Sequence, residues 1–268
     1  MKLRKTATVT AATLILASAI TGVSAKDLEI KASYGTPVID GKMDKAFSQS
    51  QVYEVKYGKG DSYSTSKLYY LWDEKAIYIF ADVTDDTPST KADTTNLADI
   101  WKTDCIELGL NLIPDEKGDP HKISKGGVWL AAPLYGNQLD VYGPLNDIAS
   151  VKSGNKCVTT KTKTGWTVEI MIPVFGDASG VTPKAGDKFG VYALTHNDTN
   201  DDNTRDTVTY HNSDLTGANY DSTKMDYIIL GEKPAKQEST APQTADLSVF
   251  ALIASAAAAF AGIKSKRR

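Results

Sequence analysis

The sequence contains few of the side chains that metal, redox and nucleophilic sites use. Among its 268 residues are 2 cysteines, 4 methionines and 3 histidines, and His121, His196 and His211 show no ligand-type spacing such as His-x-x-x-His. No glycine-rich phosphate loop follows a predicted strand, and no Ser-His-Asp or Cys-His signature stands out. These absences argue against a histidine metal cluster, a nucleotide-binding loop and a nucleophilic triad.

An excess of basic residues is also missing. The chain has 30 Lys+Arg and 33 Asp+Glu, which gives a formal net charge of −3 at pH 7, and its pI is about 5.7. A nucleic-acid-binding domain needs a basic face. The composition therefore argues against a nucleic-acid partner.

The two cysteines are Cys105 and Cys157. An exported protein can form a disulfide, but a sequence alone cannot place two sulfur atoms within bonding range. We expect two buried free thiols, and a disulfide between them is the alternative.

The N-terminus has the pattern of a secretory signal peptide over residues 1–25. Lys2, Arg4 and Lys5 precede an apolar and small-residue run that ends in Val23-Ser24-Ala25. A positive segment, an apolar core and a small-x-Ala site are typical of such peptides. We expect cleavage after Ala25, and a retained membrane helix is the alternative.

The C-terminus has a polar linker followed by a second apolar run. Residues 232–246 have almost nothing to bury, whereas residues 247–263 are apolar and residues 264–268 carry four basic side chains. Such a run can just span a bilayer, with its basic end on the cytoplasmic side. The sequence thus predicts an anchor over residues 247–268.

A short motif directly before the apolar run refines this prediction. Ala241–Asp246 has the pattern Pro-x-Thr-small, and with the apolar run and basic tail it resembles the sorting signal of Gram-positive surface proteins. The resemblance implies that a sortase cuts after Thr244 and links it to the cell wall, although Ala241 and Ala245 depart from the usual leucine and glycine. A simple membrane anchor is the alternative, and in both cases we expect the folded part to face outward.

Residues 26–231 remain for one folded domain, which we predict to be all-β. Thirteen tyrosines and abundant threonine favour strands. Many short alternating segments, with turn residues between them and no sustained 3.6-residue period, predict an antiparallel β-sandwich with short helical turns. The runs 67–72 and 76–83 are predicted to form a hairpin that is buried on both faces.

The stretch Ile100–Leu110 carries the first candidate site residues. Alternation places Ile106, Leu108 and Leu110 on one strand face and Cys105, Glu107 and Gly109 on the other. The Trp101 indole offers a flat apolar platform, and the Glu107 carboxylate can accept hydrogen bonds from vicinal hydroxyls. This pair suits a polyhydroxylated ligand. The alternative is a core tryptophan and a solvated glutamate.

Five motifs in order resemble carbohydrate-binding module family 9 over about residues 28–231. They are Pro37–Phe47, where the family typically has IDG-x-x-D-x-A-W and Phe47 replaces the tryptophan, Leu71-Trp72-Asp73 with Ile77-Tyr78-Ile79, the stretch Trp101…Asp104…Glu107, Gly165–Pro173, and Gly186–Gly190 followed by Asn197-Asp198. The resemblance implies a jelly-roll-like β-sandwich that binds sugars without cleaving them.

The resemblance also implies roles for individual residues. In the family, a tryptophan before the acidic strand and an aromatic in the last long loop sandwich one or two sugar rings, which match Trp101 and Tyr220. Glu107 matches the carboxylate that binds sugar hydroxyls. The arginine that the family places on the next strand has no counterpart, and Trp129 stands roughly at its position.

Two aromatic faces can clamp a pyranose, with each stacking contact contributing about 0.5–1.5 kcal/mol beyond burial by analogy with aromatic pairs. Together with carboxylate hydrogen bonds, this suits binding on the micromolar scale, about 8 kcal/mol. We expect Asn197 and Asn219 to supply hydrogen-bond donors, and turn formation is the alternative for Asn219. The expected ligands are β-glucans, xylans or their oligosaccharides.

The loop after residue 196 is rich in oxygen ligands. Asp198, Asn200 and Asp202 occupy alternate positions, and hard oxygen clusters favour calcium. Because the family often carries structural calcium, we include a structural Ca²⁺ at these residues as an expectation. The alternative is a solvated Asx-rich loop.

Three other functions are weighed against sugar binding. Asp104 and Glu107 could be a glycosidase carboxylate pair, but an i, i+3 pair on one strand points to opposite faces, so we expect no enzyme. A haem-binding DOMON-like redox module would use axial His or Met, for which His196 and Met171 are candidates. A structural adhesin or scaffold domain is the third alternative.

Overall fold

The structure is a computed structural model that describes residues 28–58, 62–89, 96–115, 125–212 and 222–234. The predicted signal peptide, the sorting motif with Thr244 and the apolar run 247–268 lie outside these ranges. Among the residues described, no helix is long and apolar enough to cross a membrane.

Strands dominate the part of the chain that the structure describes. They are β1 (Glu29–Tyr34), β2 (Tyr53–Val55), β3 (Tyr57–Gly58), β4 (Thr65–Trp72), β5 (Ile77–Thr84), β6 (Cys105–Asn111), β7 (Gly127–Pro133), β8 (Asp140–Tyr142), β9 (Lys156–Lys161), β10 (Gly165–Ile172), β11 (Lys188–Asn197), β12 (Thr207–Tyr210) and β13 (Asp226–Leu230). The helical elements are α1 (Ile148–Gly154) and short 3₁₀ helices at Phe47–Gln49, Leu97–Lys102, Gly176–Ala178 and Ser222–Lys224. The predicted all-β class is confirmed.

The strands form two sheets that share β1. The first sheet runs β8-β7-β6-β11-β13-β1, and the second runs β1-β4-β5-β10-β9. Residues 29–32 of β1 pair with β13, and residues 33–34 pair with β4. Both pairings are parallel, which the prediction of an antiparallel sandwich did not include. Long connections, and not tight turns, join β1 to these partners, so the antiparallel constraint of a hairpin does not apply.

The core lies between the two sheets and follows the predicted alternation. Strand β10 contributes four side chains that are fully buried, and β6 contributes three; these are Trp166, Val168, Ile170, Ile172, Ile106, Leu108 and Leu110. The predicted hairpin is confirmed, because β4 and β5 pair antiparallel from Thr65 opposite Thr84 to Trp72 opposite Ile77. Local periodicity was sufficient for both features.

Two of the sequence motifs contact each other through Glu169. Its Oε2 accepts hydrogen bonds from the backbone N–H of Asp40 at 2.8 Å and Gly41 at 3.0 Å, and the Thr167 hydroxyl donates to the Gly41 carbonyl at 2.9 Å. Gly41 has a φ of +79°, and a Cβ there would lie 2.6 Å from Thr160 Oγ1. Glycine is therefore required for this loop to dock on β10.

Two of the helical elements that were not predicted begin with a capping side chain. The Asp147 side chain caps α1 by accepting from the Ser150 amide at 3.1 Å, and the Asn96 side chain caps the 3₁₀ helix 97–102 by accepting from the Ala98 amide at 3.3 Å. Both elements are too short for a 3.6-residue period to be visible. The capping residues Asp147 and Asn96 are the sequence feature from which these two elements could have been predicted.

The two cysteines are free and buried. Cys105 lies on β6 of the first sheet and Cys157 on β9 of the second. The expectation of two buried free thiols is confirmed, and the alternative disulfide is not formed.

Candidate functional site

The side chains of the first sheet that alternate away from the core form a second buried layer, which we call the outer face. On β6, Glu107 pairs with Ala131 of β7 and Leu194 of β11. Gly109 pairs with Trp129 and Tyr192, whose rings are 4.5 Å apart. A Cβ at Gly109 would lie 2.0 Å from the Tyr192 ring, so the two aromatic rings pack over this position because it has no side chain.

Glu107 lies within this layer and is only 8% exposed. Its Oε1 accepts hydrogen bonds from Trp129 Nε1 at 3.2 Å and from the Tyr192 hydroxyl at 3.0 Å, and its Oε2 lies 3.2 Å from His196 Nε2. The alternative of a solvated glutamate is therefore wrong. Its carboxylate oxygens therefore bind mainly to groups of the protein itself.

Burial opposes ionisation of Glu107, but the neighbouring groups outweigh it. Burial would raise the pKa of the carboxyl, whereas the hydrogen bond and charge of His196, the Tyr192 hydroxyl and the charge of Arg205 lower the pKa below its ordinary value. Glu107 is thus held as a carboxylate.

Trp101 lies at the surface beside this layer. It is on the 3₁₀ helix 97–102, and it is 41% exposed, so the alternative of a core tryptophan is wrong. The Trp101 carbonyl oxygen lies 2.8 Å from His196 Nδ1. Two cations flank the indole, with Arg205 Cζ at 5.0 Å and Lys102 Nζ at 5.4 Å from the ring centroid.

His196 joins these groups into one site. One ring nitrogen faces the Trp101 backbone and the other faces Glu107, and Arg205 Nη1 lies 3.1 Å from Nδ1. The structure therefore brings the predicted residues Trp101 and Glu107 together. Sequence reasoning missed His196 and Arg205 as members of this site, because 95 residues separate His196 from Trp101.

Of the other predicted ligand-binding residues, the structure describes Asn197 and places it outside this site. Asn197 follows His196 on β11 and points to the opposite face, where its Nδ2 lies 3.5 Å from Thr87 Oγ1. There it lines a cavity of about 60 Å³, whose other lining residues are Ser62, Tyr63, Asp86 and Thr87. Tyr220 and Asn219 lie outside the described residues, so their contacts stay predictions.

The oxygen-rich loop after β11 uses its side chains to hold its own backbone. Asp198 accepts from the amides of Asn203 at 2.9 Å, Asp202 at 3.3 Å and Asn200 at 3.4 Å, while Asp202 accepts from the Thr204 amide at 2.8 Å. In this arrangement the carboxylates of Asp198 and Asp202 accept hydrogen bonds from loop amides. In the described ranges no group of three or more His, Cys, Asp or Glu could hold a metal ion. The predicted Ca²⁺ remains a prediction.

Asp104 connects two loops that flank β6. Its Oδ2 accepts from the Ser89 amide at 2.6 Å and its Oδ1 from the Asp198 amide at 2.8 Å, and the residue is fully buried. It binds loop amides on the side away from Glu107, as expected for an i, i+3 pair. Burial, together with a smaller effect of the Asp85 charge, raises the pKa of Asp104 to about 6, against the lowering effect of the two amides.

The raised pKa of Asp104 predicts a pH-dependent stability. The folded-state pKa of about 6 exceeds the ordinary value of 3.8, so the contribution of Asp104 is fully present below pH 3.8 and is lost as the pH rises through about 6. Relative to Asp104→Asn, the wild type is expected to lose on the order of 2–3 kcal/mol of unfolding free energy between about pH 4 and pH 7. Denaturant unfolding of both proteins at each pH checks this. Parallel pH curves would show that Asp104 has an ordinary pKa.

The residues of the alternative haem site do not meet. Met171 lies on β10 in the second sheet, where it packs against the cluster that contains Phe80, whereas His196 lies on β11 in the first sheet. Both ring nitrogens of His196 face protein groups. The structure therefore offers no axial pair from these two residues.

Curated enzymes contain regions similar to this chain. Endo-1,4-beta-xylanase A of Thermotoga maritima is 38% identical over 80 residues, which are 29% of this chain and 7% of that enzyme. Endo-1,4-beta-xylanase A of Thermoanaerobacterium saccharolyticum is 26% identical over 208 residues, which are 76% of this chain and 16% of that enzyme. The chain thus spans a small part of the length of these relatives.

A solved structure and a family match extend the comparison to the whole sandwich. The carbohydrate binding module family 9 (CBM9) from Caldicellulosiruptor kristjanssonii, solved in complex with cellotriose, superposes with a TM-score of 0.62 at 19% identity, over 77% of this chain and 95% of that chain. This likeness shows a shared fold. Residues 39–232 match the family described as carbohydrate family 9 binding domain-like. The chain belongs to this family.

Proposed function

We propose that this chain is a non-catalytic carbohydrate-binding protein that stacks sugar rings on Trp101. The observation that carries the proposal is an exposed indole at a fixed position, since His196 connects its backbone to the buried Glu107. Membership of a binding-domain family supports binding without bond cleavage. The engagement of Asp104 and Glu107 by protein donors also supports this, because neither carboxylate is available as an acid or a nucleophile.

The ligand we propose is a β-glucan, a xylan or an oligosaccharide of either. The solved Caldicellulosiruptor module was bound to cellotriose in one structure and to glucose in another, and the curated relatives named above are xylanases. A stacked ring on Trp101 contributes about 0.5–1.5 kcal/mol beyond apolar burial. Tyr220 remains the proposed second aromatic, and Asn219 a proposed hydrogen-bond donor.

The proposed place of action is the outside of the cell. The signal-peptide pattern of residues 1–25 supports export, and the motif at Thr244 with the apolar run after it supports attachment by a sortase or directly to the membrane. The polar linker over residues 232–246 would separate the sandwich from that attachment point.

Calorimetric titration of the full chain tests this function. The panel contains soluble β-glucans, xylans, and cello- and xylo-oligosaccharides. We expect at least one of them to bind at a single site with a Kd of about 1–100 μM. The absence of binding to every member of the panel would overturn the proposed function.

A further inference from the structure

Arg205 is an exposed cation over the ring of Trp101, the proposed sugar platform. Its guanidinium carbon lies 5.0 Å from the centre of the Trp101 ring, and Nη1 lies 3.1 Å from His196 Nδ1. The side chain comes from the loop between β11 and β12, far in sequence from Trp101. A sugar ring stacked on this indole therefore lies beside a guanidinium group.

The loop that carries Arg205 is held closed on both sides of that residue. Asp206 accepts hydrogen bonds from the Thr199 amide at 2.8 Å and the Thr199 hydroxyl at 2.6 Å, and its own amide donates to the Asn197 carbonyl at 2.9 Å. On the other side, the Asn203 amide donates to Asp198 at 2.9 Å. The backbone that carries the guanidinium is thus ordered before a ligand binds, which reduces the entropy lost on binding.

Of the two cations beside Trp101, Arg205 is the more exposed one and has no carboxylate partner among the described residues. Lys102 forms an ion pair with Asp99 at 2.7 Å. Among the described residues Arg205 has no such ion pair, and its contacts there are the indole and His196. The Glu107 carboxylate beneath them is buried, with Trp129, Tyr192 and His196 around its oxygens.

We propose that the Trp101 site prefers an acidic sugar, a hexuronic acid, whose carboxylate pairs with the Arg205 guanidinium while a sugar ring stacks on the indole. A guanidinium is planar and permanently charged, and it binds a carboxylate through two parallel N–H···O bonds. This inference rests on the proposed function and adds the chemical class of the ligand to it. It assigns a specificity-determining role to Arg205.

Matched sugar pairs that differ only in the carboxyl group test the inference. The probes are cellobiouronic acid with cellobiose, and xylotriose bearing one glucuronic acid with its carboxyl-reduced counterpart, titrated into the full chain. We expect the acidic member of at least one pair to bind about 10-fold more tightly at about 50 mM salt, and this preference to shrink at about 500 mM salt because screening weakens exposed charge pairs.

Two variants test whether the preference for the acidic sugar depends on Arg205. Arg205→Gln is expected to reduce the ratio of the acidic to the neutral affinity to less than about 2-fold, since it removes the charge from an exposed side chain. Lys102→Gln is the matched control, because Lys102 is equally close to the indole but already paired with Asp99. It should keep the preference. Melting curves confirm that both variants are folded.

The outcomes separate this inference from the proposed function. Binding of neutral sugars with no preference for their acidic partners, or a preference that survives Arg205→Gln, would overturn the inference and leave the proposed function in place. If Lys102→Gln loses the preference and Arg205→Gln keeps it, the preference depends on Lys102, and the inference about Arg205 is overturned. Failure of every neutral and acidic sugar to bind would overturn both.

Discussion

Replacement of Trp101 by alanine is expected to weaken carbohydrate binding by at least about 30-fold, or 2 kcal/mol, since an aromatic anchor at the centre of a site commonly carries that much. The indole is 41% exposed, and the cations of Arg205 and Lys102 lie 5.0 Å and 5.4 Å from its ring centroid. Its removal should therefore change the free energy of unfolding by less than about 1 kcal/mol. Calorimetry and denaturant unfolding of the same samples measure the two effects.

A second exposed apolar side chain serves as the control for Trp101. Val38 is 70% exposed and belongs to the segment that docks on the second sheet. Val38→Ala should bind sugar as the wild type does. Trp101→Phe should retain part of the affinity, because a smaller ring still offers a flat face. Equal affinities for the wild type and Trp101→Ala would place the sugar site elsewhere.

Replacement of Glu107 by alanine is expected to lower the free energy of unfolding by about 3–5 kcal/mol, the range for breaking a buried charged network. The change would remove the carboxylate that accepts hydrogen bonds from Trp129 Nε1 and the Tyr192 hydroxyl and that lies beside His196. Glu107→Gln keeps the shape and one acceptor oxygen, so we expect a smaller loss of about 1–3 kcal/mol. Denaturant unfolding measures both.

The same variants distinguish two roles of this carboxylate. If Glu107 served the sugar alone, as its sequence motif indicates, Glu107→Gln would lose affinity at unchanged stability. The structure predicts a loss of stability together with a loss of affinity, because His196 transmits the position of Glu107 to the backbone of Trp101. Glu54, whose side chain is 45% exposed on β2, is the matched control. The free energy of unfolding of Glu54→Gln should lie within about 0.5 kcal/mol of the wild-type value.

Much of the sandwich could be predicted because it depends on neighbours in the chain. The β4–β5 hairpin and the alternation of β6 and β10 follow from side chains that point to opposite faces at every step. The double pairing of β1 could not be predicted in this way. Its partners β13 and β4 lie far along the chain, and no turn specifies the parallel register.

Sequence alternation also predicted which face of β6 carries Glu107, and the structure agrees. It could not show that this face is covered, because burial depends on Trp129 and Tyr192 from neighbouring strands. Asn197 differs from these cases. Alternation implies that Asn197 and His196 point to opposite faces, but only the pairing of β11 with β6 shows that the face of His196 is the one beside Trp101.

For this protein, local pattern alone was enough for the strand faces and for the motifs shared with the family, and those motifs led to the proposal of Trp101 as the platform. The residues that contact Trp101 are brought to it only when the chain folds. His196 and Arg205 reach Trp101 from 95 and 104 positions along the chain, through the pairing of β6 with β11 and the closed loop after it. Such contacts depend on strand register and loop closure over long separations. For that reason the charge of the site, and with it the expected preference for an acidic sugar, is visible only in the folded chain.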